Sequence, residues 1–376
     1  MVPKRLYFVA GEASGDAHGA ALIAALQNLQ PDLVVAGRGG PRMCAAAGEG
    51  VVDWSRHSAV LGLFEVLKKY RYFRRQFAAA LHDIREQGVD AVVLIDYPGF
   101  NLRLARALCA QQPDLTIIYY ISPQVWAWNR GRIPRMAKCL DLMLCIFPFE
   151  AELYNQSGLR TVFVGHPIVE TLGPVRRNEE RDPNLVGLFP GSRWREVRKI
   201  WPIMLRAAER LRAARPDVRF EVAAASSSFA SEVQRTLRHS RLPEEAVQIT
   251  IGRAEATMQR ATAGIIASGT ATLEAAFFRL PFVLVYRVAW PTYLAARMVV
   301  RVKHLGMPNV LAGRQIIPEF IQHRAEPQPI AEAVLCLLED KAARGAVVAE
   351  FDRIIATLGK EGASMTAARA ILEEIK

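Results

Sequence analysis

The sequence predicts an α/β protein of two domains, each a parallel sheet with helices on its faces. Three observations carry this. Short, almost wholly apolar runs recur along the chain, each ending in a turn rich in glycine, serine or proline and followed by helical periodicity, the pattern of strands buried on both faces. At 376 residues the chain is longer than one core normally organises. The texture also changes over 173–183 (GPVRRNEERDP), which is polar, charged and bounded by prolines, so a linker is expected within 168–183, between domains of 1–167 and 184–358. Gly359 to Gly362 then interrupts a helical pattern and sets off 359–376 as a last helix.

Composition narrows the classes of function. Hydrophobic residues make up 51% of the chain, enough for two cores. No apolar run is long enough to span a membrane, and the apolar residues after Lys4-Arg5 are too few for a signal peptide. The five cysteines are scattered, with no metal-ligand spacing, which suits buried thiols in a reducing compartment and no bound metal. A formal net charge of +11 implies an anionic partner: nucleic acid, a membrane surface or a phosphorylated substrate.

In chain order, Leu6 to Ala10 reads as a buried strand, and Gly11-Glu12-Ala13-Ser14-Gly15-Asp16 turns into a helix from about Ala17. The turn is neither GxGxxG nor a P-loop; its small residues either let a bulky ligand approach the backbone or simply make a βα turn. Leu33 to Ala36 is the second strand. On a helical wheel Leu63, Val66, Leu67, Tyr70, Phe73, Phe77 and Leu81 share one stripe of a helix over Val60 to Leu81, with Lys68, Lys69, Arg71 and Arg75 off it. Such a stripe packs on a core or lies in an anionic membrane interface. Ala91 to Ile95 is the clearest parallel strand and delivers Asp96 to its carboxyl end, where open α/β sheets bind ligands. Asp96 is there a general base, a ligand contact, or the cap of a helix near Leu102. After the strand Leu115 to Ile121, Trp126 and Trp128 stand beside Arg130 and Arg132, suited to an acyl chain or sugar with a phosphate, or to packing. Leu140 to Ile146 and Thr161 to Val164 complete the first set of strands.

The second half repeats the texture. The strand Leu185 to Phe189 runs into Pro190-Gly191-Ser192-Arg193 and a helix near Glu196; a guanidinium at Arg193 forks onto phosphate oxygens. Strands at Phe220 to Ala224 and Val247 to Ile251 follow. The strand Gly264 to Ala267 then meets Ser268-Gly269-Thr270 and a helix from about Ala271, so free amides and the hydroxyls of Ser268, Thr270 and Thr272 face an anion. Glu274 would repel a phosphate but accepts hydrogen bonds from a ribose. Phe282 to Tyr286 is the next strand, and a helix is expected from about Pro318.

Taken together, Gly11-Glu12-Ala13-Ser14-Gly15-Asp16, Ser122-Pro123 with Val125-Trp126-Ala127-Trp128, Pro190-Gly191-Ser192-Arg193, Ser268-Gly269-Thr270-Ala271-Thr272-Leu273-Glu274 and Pro308-Asn309-Val310-Leu311-Ala312-Gly313-Arg314 resemble, in order and over nearly the whole chain, the lipid-A-disaccharide synthase family. The resemblance implies the glycosyltransferase B fold, two Rossmann-like domains facing across a cleft. It implies condensation of UDP-2,3-diacylglucosamine with 2,3-diacylglucosamine 1-phosphate to a β-1,6 disaccharide and UDP, with inversion, without cofactor or metal, on the cytoplasmic face of the inner membrane. Asp96 then matches the base. Gly191, Ser192, Arg193, Ser268, Gly269, Thr270, Thr272 and Asn309 match contacts to UDP, and Glu274 its ribose. Gly11, Ser14, Gly15, Asp16, Trp126, Trp128, Arg130 and Arg132 fall to the acceptor; Asn129 stands where the family usually has an arginine, which shifts the acceptor phosphate to Arg130 or Arg132. Leu63, Val66, Leu67, Lys68, Lys69, Tyr70 and Phe73 match a membrane-facing element, and the last helix is expected to return to the N-terminal domain. The competing readings are a UDP-sugar 2-epimerase, a B-fold transferase with a soluble acceptor, and a nucleic-acid binder, which lacks any recognisable binding motif.

Overall fold

The computed structural model describes residues 3–55, 70–177, 180–300, 302–360 and 362–376. Its strands form two all-parallel sheets. The first contains β1 (Arg5–Ala10), β2 (Val34–Gly39), β3 (Val51–Asp53), β4 (Ala91–Ile95), β5 (Thr116–Tyr120), β6 (Leu142–Cys145) and β7 (Thr161–Phe163), in the order β3-β2-β1-β4-β5-β6-β7. The second contains β8 (Asp182–Phe189), β9 (Arg219–Ala224), β10 (Val247–Ile251), β11 (Ala261–Ala267), β12 (Phe282–Tyr286) and β13 (Glu319–Ile321), in the order β10-β9-β8-β11-β12-β13.

Central strands are apolar on both faces because helices cover both. In β1 and β4, paired from Leu6↔Ala91 to Ala10↔Ile95, nearly every side chain is buried. Strand order reverses between β1 and β4 in one sheet and between β8 and β11 in the other. At such a reversal the two outgoing loops diverge to opposite faces and leave a crevice at the strands' carboxyl ends.

The chain divides into two compact units, 1–170 with 358–376, and 171–357. The first of these divisions falls inside the 168–183 stretch expected to hold the linker, which carries most of the Pro167–Leu172 helix, a turn at Gly173–Val175 and, from Asp182, the start of β8. The Ala363–Glu374 helix packs on the Ala13–Leu29 helix, and Ala367, Ala368 and Ile371 join Leu22 and Ile23 in one core. Where the chain leaves and re-enters the first unit it is pinned to itself: the His166 amide donates to the Leu358 carbonyl (2.8 Å), and a Cβ on Gly359 (φ +100°) would lie 3.1 Å from the Gly165 Cα.

Two expectations need correction. No helix starts at Pro318; Glu319–Ile321 is the edge strand β13, in register with Leu284 to Tyr286, and the helix begins at Pro327. The Glu319 carboxylate there accepts the Leu305 and Gly306 amides, a tie that helical periodicity does not reveal. Of the Val60 to Leu81 helix, Leu63, Val66, Leu67, Lys68 and Lys69 lie outside the described residues. The described helix is Tyr70–Glu86, with Tyr70 exposed, but Phe73 and Phe77 pack on the core, Phe73 edge-on to Trp54 at 6.4 Å. Phe73 is thus half-buried against the core, where a membrane-facing side chain was expected.

Candidate functional site

At the first sheet's reversal, Asp96 and Tyr97 leave β4 with φ of +45° and +50°. Two successive non-glycine residues in the left-handed region are costly and persist only when the surroundings enforce them. Here the Asp96 carbonyl accepts from Tyr119 Oη (2.6 Å) and Asn101 Nδ2 (2.8 Å), and its amide donates to the Tyr120 carbonyl (2.9 Å). Asn101, fully buried, also donates toward the Ile95 carbonyl. Gly11 is required at the end of β1, since a Cβ there would come within 2.3 Å of the Tyr97 ring. The helix begins at Pro98 with Tyr97 at its N-cap, so Asp96 is no helix cap. Burial, and next the charge of Glu12, push the Asp96 carboxyl up to about 6, into the range of a general base. Sequence reasoning missed Asn101 and Tyr97 as the parts that set this geometry.

The other residues expected around the acceptor divide. Asp16 is buried and accepts from the amides of Gly40 (2.8 Å), Arg42 (3.0 Å) and Met43 (2.9 Å), so it caps the Pro41–Ala47 helix and is committed to structure. Gly15 is buried where its helix packs on the strand ends, and a Cβ added there would lie 3.7 Å from the Ile95 carbonyl oxygen. Only Ser14 of this turn's candidates has an exposed side chain. Trp126 is also internal: its Nε1 donates to Glu150 Oε1 (2.8 Å), while the Phe147 amide donates to Oε2 (3.2 Å). Glu150 has no exposed surface, and burial pushes its carboxyl up to about 7. Trp128 and Arg130 are exposed, with the Arg132 guanidinium 4.6 Å from the Trp128 ring centroid. A groove of ≈ 230 Å³ runs past Trp126, Arg130, Phe149 and Glu152.

At the second sheet's reversal two turns stand side by side, for a Cβ on Gly191 (φ +100°) would be 3.6 Å from that of Ala267. Pro190-Gly191-Ser192-Arg193 leads into the Trp194–Ala214 helix, and Ser192 and Arg193 are exposed. Arg193 Nη1 lies 3.1 Å from Glu196 Oε1; the guanidinium is exposed and the carboxylate half-buried, so the pair is worth little and leaves the guanidinium open to an anion. Gly269 (φ +151°) and Thr270 are exposed before the Ala271–Phe277 helix, and Ser268 is half-buried. The expected N-cap oxygen is absent: Thr270 has helical φ and makes no side-chain cap bond, its hydroxyl pairing instead with Glu274. Burial, then the charge of Glu255, raise the Glu274 carboxyl above the usual range. Thr272 does not face an anion. Its hydroxyl is buried and donates to the Gly269 carbonyl (2.8 Å). Nor does Asn309 offer a contact: fully buried, it donates to the Ile317 carbonyl and Glu319 and accepts the Ile316 and Ile317 amides.

Among the described residues no three His, Cys, Asp or Glu side chains are grouped to hold a metal ion, and no helix is long and apolar enough to cross a membrane. Compared with known proteins, residues 6–372 match the family described as Lipid-A-disaccharide synthetase. The lipid-A-disaccharide synthase of Anaeromyxobacter dehalogenans (strain 2CP-C) is 38% identical over 375 residues, covering 98% of this chain and 97% of the relative. Two solved structures share the fold. A putative UDP-N-acetylglucosamine 2-epimerase from Listeria monocytogenes has a TM-score of 0.63 at 12% identity, covering 99% of this chain and 95% of its own. The calicheamicin glycosyltransferase CalG4 has a TM-score of 0.62 at 17% identity, covering 100% and 99%.

Proposed function

Because the chain belongs to the lipid-A-disaccharide synthetase family, and so is a hexosyltransferase forming the lipid A disaccharide from a UDP-sugar and a phosphorylated lipid acceptor, we propose a division of labour between its two units. The observation that carries it is Asp96, a carboxyl held at a sheet reversal by an enforced backbone and pushed up to about 6. Asp96 takes the proton of the acceptor's 6-hydroxyl, whose oxygen attacks the anomeric carbon of UDP-2,3-diacylglucosamine as the bond to UDP breaks on the opposite face. One base and one displacement invert the centre and give a β-1,6 bond.

The departing UDP gathers negative charge. Arg193, Ser192, Gly269 and Thr270, exposed, with the half-buried Gly191 turn and Ser268, are the donors at the second unit's reversal, and they stabilise that charge without a metal ion. Glu274 holds the ribose. In the first unit Ser14, Trp128, Arg130 and Arg132 meet the acceptor, 2,3-diacylglucosamine 1-phosphate, with the arginines on its phosphate. Tyr70, Arg71, Arg74 and Arg75, exposed at the start of their helix, lie against the anionic cytoplasmic face of the inner membrane.

The fold is shared with an epimerase, so the reaction must be tested by its products. UDP release from UDP-2,3-diacylglucosamine is measured with and without the lipid monosaccharide 1-phosphate, and the product is weighed by mass spectrometry. Acceptor-dependent UDP with a tetraacyl disaccharide phosphate is expected. UDP release without acceptor would replace the transferase reading by an epimerase or hydrolase one.

A further inference from the structure

The Trp290–Val299 helix, between β12 and β13, is the least covered helix of the second unit: among the described residues no other element packs extensively against it. Trp290, Leu294 and Met298, spaced i, i+4, i+8, are 54%, 56% and 83% exposed, and Val299 and Val300 continue the apolar surface. Arg297 falls on the same stripe, one position from Met298, and Tyr293 flanks it with its ring edge-on to Trp290 at 5.8 Å. An apolar stripe of this size on one helix marks a docking surface.

Charge says for what. Between Glu274 and Glu319 the sequence holds no acidic side chain, but six basic ones: Arg279, Arg287, Arg297, Arg301, Lys303 and Arg314. Arg279 and Arg314 are paired with Asp352 and Glu350. Arg287, Arg297 and Lys303 are exposed and form no ion pair among the described residues. Tryptophan, tyrosine and a long cation around an aliphatic stripe is the composition that seats in the headgroup layer, where the stripe enters the acyl boundary and the cations meet lipid phosphates. We propose that this helix docks the second unit onto an anionic lipid surface. The helix follows β12, whose last residue, Tyr286, lies close enough to Arg193 and Glu196 to feel their charges, so docking sets the donor site at the height of the donor's lipid. That last consequence rests on the proposed donor site; the docking itself does not.

The test uses the full chain with vesicles of phosphatidylcholine alone or mixed with phosphatidylglycerol. Leu294→Ser with Met298→Ser, and separately Arg297→Glu, are expected to lower partition into the mixed vesicles about tenfold. UDP affinity, melting temperature and turnover on detergent-dispersed substrates should not move. Lipids brominated along the chain should quench a fluorescence component that is missing from Trp290→Phe. Unchanged partition of both variants, or an unquenched Trp290, overturns the proposal. So does a concentration-dependent dimer that dissociates in the Leu294/Met298 variant, which would make a second copy the occupant. Absence of acceptor-dependent UDP release would defeat the proposed reaction and leave the vesicle result standing.

Discussion

The two sheet reversals are built alike and equipped oppositely. In the first unit the strand β4 ends in a strained, hydrogen-bonded backbone that carries one half-buried carboxyl, with Glu12 near enough to make ionisation harder still. In the second unit the strands β8 and β11 end in glycine turns that carry hydroxyls, amides and an exposed guanidinium. One arrangement withholds solvent from an acid; the other offers donors to an anion. The lesson is that a shared topology fixes where chemistry happens, while the residue types in two or three turns decide which chemistry it is.

The sharpest way to break this contrast is Asp96→Asn. Loss of the base should lower turnover about a thousandfold, with UDP affinity by calorimetry unchanged. A parallel loss of UDP affinity would mean that Asp96 serves binding and that the two reversals are not divided in labour. The wild-type rate should also fall as pH drops through about 6, where Asp96 takes up its proton.

Next in size is Asn309→Ala, which strands two backbone amides, a carbonyl and Glu319. It should destabilise the second unit by about 3 kcal/mol, read as a lower unfolding midpoint. A stable variant with weakened UDP binding would return Asn309 to the ligand and sharpen the second reversal.

Asp96→Asn has a stability effect of similar size and opposite sign. A folded-state carboxyl near 6 against an ordinary 3.8 means that the folded protein binds the proton more tightly. Wild-type stability therefore falls as pH rises between these values, and above about pH 6 the asparagine variant should be the more stable by about 3 kcal/mol. The gap should close below pH 4; a gap independent of pH would remove the raised carboxyl from the account of the first reversal. Smallest is Arg193→Lys, which loses the fork but keeps the charge, and should weaken the donor about tenfold with the acceptor KM unmoved. Equal effects on both substrates would erase the contrast from the other side.

Much of this was legible in the sequence because it is local. Strands buried on both faces are continuous apolar runs, so Ala91–Ile95 and Phe282–Tyr286 match their sequence assignments, and both pairs of turns follow from the strand ends. What was not legible is which way a polar side chain turns, because that depends on partners distant in sequence. Asp16 faces Gly40 to Met43, Trp126 faces Glu150, and Asn309 and Glu319 close on each other. A motif names the residue but not whether it faces ligand or core. The paired positive φ of Asp96 and Tyr97 leaves no mark either, since neither residue is the glycine that such a conformation prefers.

The Ala363–Glu374 helix has a consequence for how the protein is made. The first unit's core is completed by Ala367, Ala368 and Ile371, so it cannot close while those residues are still inside the ribosome, although its strands are synthesised first. The second unit is one unbroken segment and is free to fold before them. During synthesis the nascent chain therefore holds a sheet with all its strands but an incomplete core for the time needed to translate an entire domain. A premature stop within the last helix would harm the half of the protein that was born first.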